Sequence, residues 1–166
     1  MSPRVVLVGV SGSGKTTAGR RLAERLDVGF RDVDDDIEQT AGKPVGEIFV
    51  DDGEQAFREL ERTAVAAALA EHEGVLAVGG GAVLDDRTSE LLRGHAVVFL
   101  DVGLADAAAR IGLNRDRPVL LANPRAELKR MIDERRPVYR AVSTSIVDTT
   151  GRTPDEVVEA VLAVVG

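Results

Sequence analysis

The chain has 166 residues, 44% of them hydrophobic, which is the size and content of one compact domain with a full core. Its formal charge of −7 and pI near 4.9 disfavour a general nucleic-acid or anionic-membrane surface, because both would repel the molecule as a whole. Zero cysteines exclude disulfides and thiolate chemistry, and no apolar run approaches the ~20 residues of a membrane span, so a cytoplasmic protein is expected.

The first predicted strand, Arg4 to Val8, has no signal peptide before it and runs directly into Gly9-Val10-Ser11-Gly12-Ser13-Gly14-Lys15-Thr16. That segment matches the phosphate-binding loop G-x-x-x-x-G-K-[ST] in its strand-loop-helix setting. Gly12 and Gly14 leave room for the backbone to wrap phosphate oxygens at a helix N-terminus. Lys15 adds a point charge for the β- and γ-phosphates, and the Thr16 hydroxyl is placed to ligate Mg²⁺. Further strands are predicted at Gly29 to Val33, Val75 to Val78, Ala96 to Leu100 and Ser145 to Val147. Helical spacing predicts helices at Lys15 to Leu26, Gly53 to His72, Leu104 to Ile111, Arg125 to Arg136 and Thr153 to Val165. Strand-helix alternation means a parallel sheet covered by helices on both faces, with ligands beyond the carboxyl ends of its strands. The stretch 112–124, rich in Gly, Asn, Asp and Pro and holding Arg115 and Arg117, reads as a lid over the phosphate site.

Residues just past those strand ends carry the chemistry. Asp32-Val33-Asp34 closes the second strand, and in an extended segment residues two apart face the same side. One carboxylate suits the Mg²⁺ shell and the other a substrate hydroxyl. The same acids also fit the first turn of a short helix as cap and dipole partners, and both roles are open together. After the third strand, where many phosphate-loop proteins place a magnesium-coordinating Asp, stands Gly79-Gly80-Gly81. That points to Asp32 as the metal-side carboxylate. Three glycines allow a ligand to approach the backbone, although a simple flexible turn has the same sequence. Arg58, Arg110, Arg117 and Arg136 are each placed to face the crevice, while the default for a lone helical Arg is a solvated face. Pro137 ends or kinks its helix, which leaves Arg136 at a break where its side chain can be re-aimed. His72 and His95 show no partner spacing and are expected at the surface.

Taken together, these residues resemble the shikimate kinases. The match is carried by the phosphate loop, Asp32-Val33-Asp34 with Ile37-Glu38, Ile48-Phe49, Gly53-Glu54-Gln55-Ala56-Phe57-Arg58 with Glu61, Gly79-Gly80-Gly81, Arg117-Pro118, and Arg136-Pro137-Val138-Tyr139. It spans the chain from end to end. The resemblance implies a three-layer α/β/α phosphate-loop kinase fold with a five-stranded parallel sheet in the order 2-3-1-4-5. It implies transfer of the γ-phosphoryl of ATP to the 3-hydroxyl of shikimate, a step in aromatic amino acid biosynthesis. Within a single domain, residues 33–62 would bind shikimate and 112–124 would form the lid. ATP would be held by Gly12, Ser13, Gly14, Lys15, Thr16, Thr17, Arg110, Arg117, Arg152 and Pro154. Mg²⁺ would sit between Thr16 and Asp32. Shikimate would meet Asp34, Arg58, Gly79, Gly80, Gly81 and Arg136, with Glu61 orienting Arg58. Lys15, Asp34 and Arg117 would be catalytic, and the enzyme would be a monomer. One departure is Val119-Leu120 after Pro118, where Leu commonly follows the proline; it leaves the chemistry untouched.

Converging arginines also reconcile an acidic protein with anionic substrates, since charges beyond a Debye length of about 8 Å are largely screened. A gluconate or nucleoside monophosphate kinase of the same architecture leaves Arg58, Arg136 and the triple glycine without an explanation. A GTPase-type switch requires an Asn-Lys-x-Asp segment, which is absent, and Asp148-Thr149-Thr150-Gly151 comes too late in the chain to be its D-x-x-G element.

Overall fold

The computed structural model describes residues 2–10, 12–111 and 124–165. Five strands, β1 (Val5–Val8), β2 (Phe30–Asp32), β3 (Val75–Ala77), β4 (Val97–Asp101) and β5 (Ser145–Asp148), pair in parallel in the order β2-β3-β1-β4-β5. The helices are α1 (Lys15–Leu26), α2 (Val33–Ala41), α3 (Val45–Asp52), α4 (Glu54–Glu71), α5 (Asp86–Leu92), α6 (Leu104–Ile111), α7 (Pro124–Val142) and α8 (Pro154–Val165), with a 3-10 turn at Ala82–Leu84. The expected sheet order is the observed one.

Strand periodicity divides the interior into two cores. Val5 and Leu7 of β1 and Val98 and Leu100 of β4 face a layer made by Ala18 and Leu22 of α1 and Val157, Val158 and Val161 of α8. Their neighbours Val6, Val8, Val97 and Phe99 face the opposite layer, filled by Ile37, Ile48, Phe57, Val65, Leu128, Ile132 and Tyr139. Because both faces are covered, β1 reads as an unbroken apolar run, as a central parallel strand must. Its carboxyl end lies where the chain crosses to either side of the sheet, between β3 and β4. Such a switch point opens a crevice for ligands.

Three differences from the sequence reading bear on that crevice. The second strand stops at Asp32, one residue short of the expected Val33, because Asp32 is the N-cap of α2 and its Oδ1 accepts the Asp34 N–H at 2.9 Å. Asp34 therefore projects from the first helical turn and not from an extended strand. Second, α7 does not end at Arg136 but continues through Pro137 to Val142. Proline removes one backbone hydrogen bond, and burial of Tyr139 with packing of Val138 and Val142 against the core holds the next turn in place. Third, α3 and α5 went unread. Each has only seven or eight residues, too few for an apolar stripe to repeat. Among the described residues no helix is long and apolar enough to cross a membrane.

Candidate active site

The phosphate loop turns on two glycines. Gly12 and Gly14 have φ of 86° and 88°, a left-handed conformation that side chains with a Cβ rarely adopt, and Gly14 is the N-cap of α1. Lys15 lies across this loop, its Nζ donating to the Gly9 carbonyl at 2.5 Å and the Val10 carbonyl at 3.1 Å. Burial lowers its pKa to about 8, opposed by Asp34 and Asp32 and assisted by Arg135. Gly12, Gly14, Lys15, Thr16, Thr17, Asp32, Asp34, Gly80 and Arg110 surround one cavity of about 480 Å³. The strand-loop-helix unit thus delivers its cation beside Asp32, at the end of β2, and Asp34, in the first turn of α2.

Asp32 does two things at once. While Oδ1 caps α2, Oδ2 accepts from Thr16 Oγ1 at 3.4 Å. This hydroxyl and carboxylate offer hard oxygen donors at the loop mouth, and among the described residues no cluster of three acidic, His or Cys groups forms a metal cage. One or two protein oxygens beside phosphate is the donor set that suits Mg²⁺, which keeps its remaining positions for water and substrate oxygens.

Asp34 and Glu61 reach the glycine turn from different helices. A Cβ at Gly79 would stand 2.8 Å from Asp34 Oδ1 and 2.9 Å from Glu61 Oε2, so an added methyl would push at least one of these carboxylates from its place. A Cβ at Gly81 would strike the Arg58 guanidinium. Arg58 Nη1 donates to Glu61 Oε1 at 2.7 Å, which pairs a carboxylate that is only 1% exposed. Burial pushes Glu61 up, and Arg58 pulls it back. Asp34 is raised to about 6, first by burial and then by the negative Asp32 and Glu61, with Lys15 opposing. A carboxylate with a pKa near neutrality is suited to accept a proton at physiological pH.

Consecutive arginines of α7 diverge. Arg136 turns to the carboxyl end of β4, its Nε donating to Asp101 Oδ1 at 3.2 Å and its Nη1 lying 3.6 Å from Asp133 Oδ1. Of the described arginines only Arg110 lines the phosphate-loop cavity, and Arg58, Arg135 and Arg136 all stand outside that lining. Arg135, absent from the residues singled out in the sequence, stands near enough for its charge to act on Lys15, Glu61 and Tyr139. The signal was available. Leu128, Ile132, Arg135 and Tyr139 follow i, i+4, i+7, i+11 spacing, so Arg135 falls on the same helix face as three buried residues and Arg136 stands one step round from it.

Beside the loop, Ser13, Gly14, Thr17, Arg110, Arg152 and Pro154 line a second cavity of about 210 Å³ that shares Gly14, Thr17 and Arg110 with the first. Arg110 binds the two sides of this slot, donating to the Gly12 carbonyl at 3.1 Å and to the Thr149 hydroxyl and carbonyl at 3.2 Å each. The expected nucleotide contacts are therefore grouped together. Arg117 and nearly all of the expected lid lie outside the described residues. His72 and His95 are half-buried and not fully at the surface, and His72 Nε2 lies 3.0 Å from the Val75 carbonyl, clear of the cavities.

The geometry has known counterparts. A family model described as shikimate kinase matches residues 11–166. Shikimate kinase from Salinispora arenicola is 58% identical over 163 residues, covering 98% of each chain. That from Thermobifida fusca is 55% identical over 159 residues, covering 96% of this chain and 92% of the relative. A structure of shikimate kinase from Acinetobacter baumannii in complex with shikimate superposes with a TM-score of 0.90 at 31% identity, covering 99% of this chain and 93% of that one. The chain belongs to the shikimate kinase family.

Proposed function

We propose that this enzyme transfers the γ-phosphoryl group of ATP to the 3-hydroxyl of shikimate, giving ADP and shikimate 3-phosphate, a step in the biosynthesis of aromatic amino acids. One observation carries the reading: Asp34, the Arg58–Glu61 pair and Arg135 gather around the Gly79–Gly81 turn, within reach of Lys15 of the phosphate loop. A negatively polarised nucleophile site beside a cation-lined phosphate site is what a two-substrate phosphoryl transfer requires.

In this reading ATP extends from the Arg110–Arg152–Pro154 slot, which takes the adenine, to the loop amides and Lys15, which take the phosphates. Mg²⁺, held by Thr16 and Asp32, would supply charge neutralisation on the phosphate oxygens. Shikimate places its carboxylate between Arg58 and Arg135 and its hydroxyls toward Asp34. Arg135 thereby takes the clamp role that the sequence assigned to Arg136. The 3-hydroxyl oxygen bonds to the γ-phosphorus as the bond from that phosphorus to the bridging oxygen of ADP breaks, and the hydroxyl proton passes to Asp34. Arg117, assigned by sequence alone, completes the charge on the transferring group. Every group in this scheme comes from one chain, in keeping with a cytoplasmic monomer.

ADP release with shikimate, gluconate and AMP as alternative acceptors tests the assignment. Turnover confined to shikimate is expected; equal or greater turnover with gluconate or AMP would replace the acceptor.

A further inference from the structure

Among the described residues, Tyr139 carries the one hydroxyl that joins α7 to the glycine turn. Its side chain is only 1% exposed, and its ring lies against Phe99 of β4 with centroids 5.0 Å apart. That packing fixes where the hydroxyl stands. From there it donates to the Gly80 carbonyl, in the middle of the glycine turn, and the Arg135 guanidinium, one helical turn back on α7, lies near enough for its charge to act on the phenol oxygen. A phenol fixed to a backbone carbonyl and facing a nearby cation couples the two, because interactions with a charged group are among the stronger polar ones. Arg58 is braced separately, through Glu61. The two arginines around the turn therefore have different supports, and only one of them runs through Tyr139.

We propose that Tyr139 is a positioning residue for the acceptor, its hydroxyl setting the distance between the Gly80 backbone and the Arg135 guanidinium so that both meet the same small carboxylic acid. The proposal rests on the reading of this site as the shikimate site. It assigns Tyr139 no part in the chemistry of transfer and no contact with nucleotide.

Tyr139→Phe isolates the hydroxyl, since the ring and its packing on Phe99 are kept. With the full-length enzyme, shikimate Kd by calorimetry and KM for shikimate are expected to rise about 5- to 20-fold, the loss of one buried hydrogen bond together with the placement of a nearby cation. KM for ATP and kcat should change by less than about threefold, and the melting temperature should fall by no more than about 4 °C. In an Arg135→Ala background the same substitution should add little, because the route is already cut. Unchanged shikimate affinity in Tyr139→Phe overturns the proposal. So does a parallel rise of both KM values, which is the mark of a general structural role, and so does full additivity with Arg135→Ala. Failure of the wild-type enzyme to bind shikimate is a separate outcome, and it removes the reading of the site together with the proposal.

Discussion

Arg136 is tied to Asp101, Nε to Oδ1 at 3.2 Å, at the end of β4, while Arg135, one step round α7, stands where its charge acts on Lys15 and Glu61. The two neighbours should consequently separate in function. Arg135→Ala is expected to weaken shikimate binding by roughly 10- to 100-fold, the cost of one or two charge-assisted hydrogen bonds. Arg136→Ala should weaken it by less than about fivefold. Calorimetric titration of both variants with shikimate checks this, and a larger loss in Arg136→Ala would restore the assignment made from sequence.

Asp34 is the group whose protonation should govern turnover. With its pKa raised to about 6, the carboxylate is charged at pH 8 and largely neutral at pH 5, so kcat/KM for shikimate should decline tenfold per pH unit below about 6. Asp34→Asn should lower kcat by about 100-fold or more, leave ATP affinity within about twofold, and abolish that acidic limb. Near-normal kcat in the variant would remove Asp34 from the mechanism.

The same shift has a consequence for stability, opposite in sign to that of an ordinary salt-bridged carboxylate. Asp34 holds its proton more tightly in the folded protein than in the unfolded chain, so folding is penalised as pH rises from about 4 through 6 and the penalty is full above. Asp34→Asn should therefore raise stability by about 1–3 kcal/mol at pH 8 and by little at pH 4. Urea unfolding of both proteins at the two pH values measures it. A loss of stability at pH 8 would mean that the ionised carboxylate is better satisfied than its surroundings indicate.

Gly79 leaves no volume for a methyl group between Asp34 and Glu61. Gly79→Ala should displace one or both carboxylates and lower kcat/KM for shikimate by about 100-fold, since small misplacements of reacting groups are expensive. Nucleotide affinity should stay within about threefold, because the phosphate loop and the Arg110 slot are untouched. Steady-state kinetics with each substrate varied in turn separates the two effects.

The donor half of the site was legible in the sequence because a phosphate loop is a contiguous motif whose glycines and lysine act through local backbone geometry. Arg110, Arg152 and Pro154 line one slot beside that loop. The acceptor half was less legible for physical reasons. Asp32 and Asp34 lie on a boundary where strand and helix patterns overlap, and it took the capping bond at 2.9 Å to decide which periodicity applies. In the Arg135-Arg136-Pro137 sequence, the proline drew attention to its immediate neighbour. What separates the two arginines is the helical register set by Leu128, Ile132 and Tyr139, together with an ion pair to Asp101, 35 residues away in the chain. The Tyr139 hydroxyl bond to Gly80 spans 59 residues and has no local signature.

Identifying the product tests the central claim most directly. After complete turnover of ATP with shikimate, proton-correlated phosphorus NMR should show a single new phosphomonoester coupled to the proton on carbon 3, formed in equal amount to ADP. An ester on a different carbon, or inorganic phosphate with unchanged shikimate, would contradict the account.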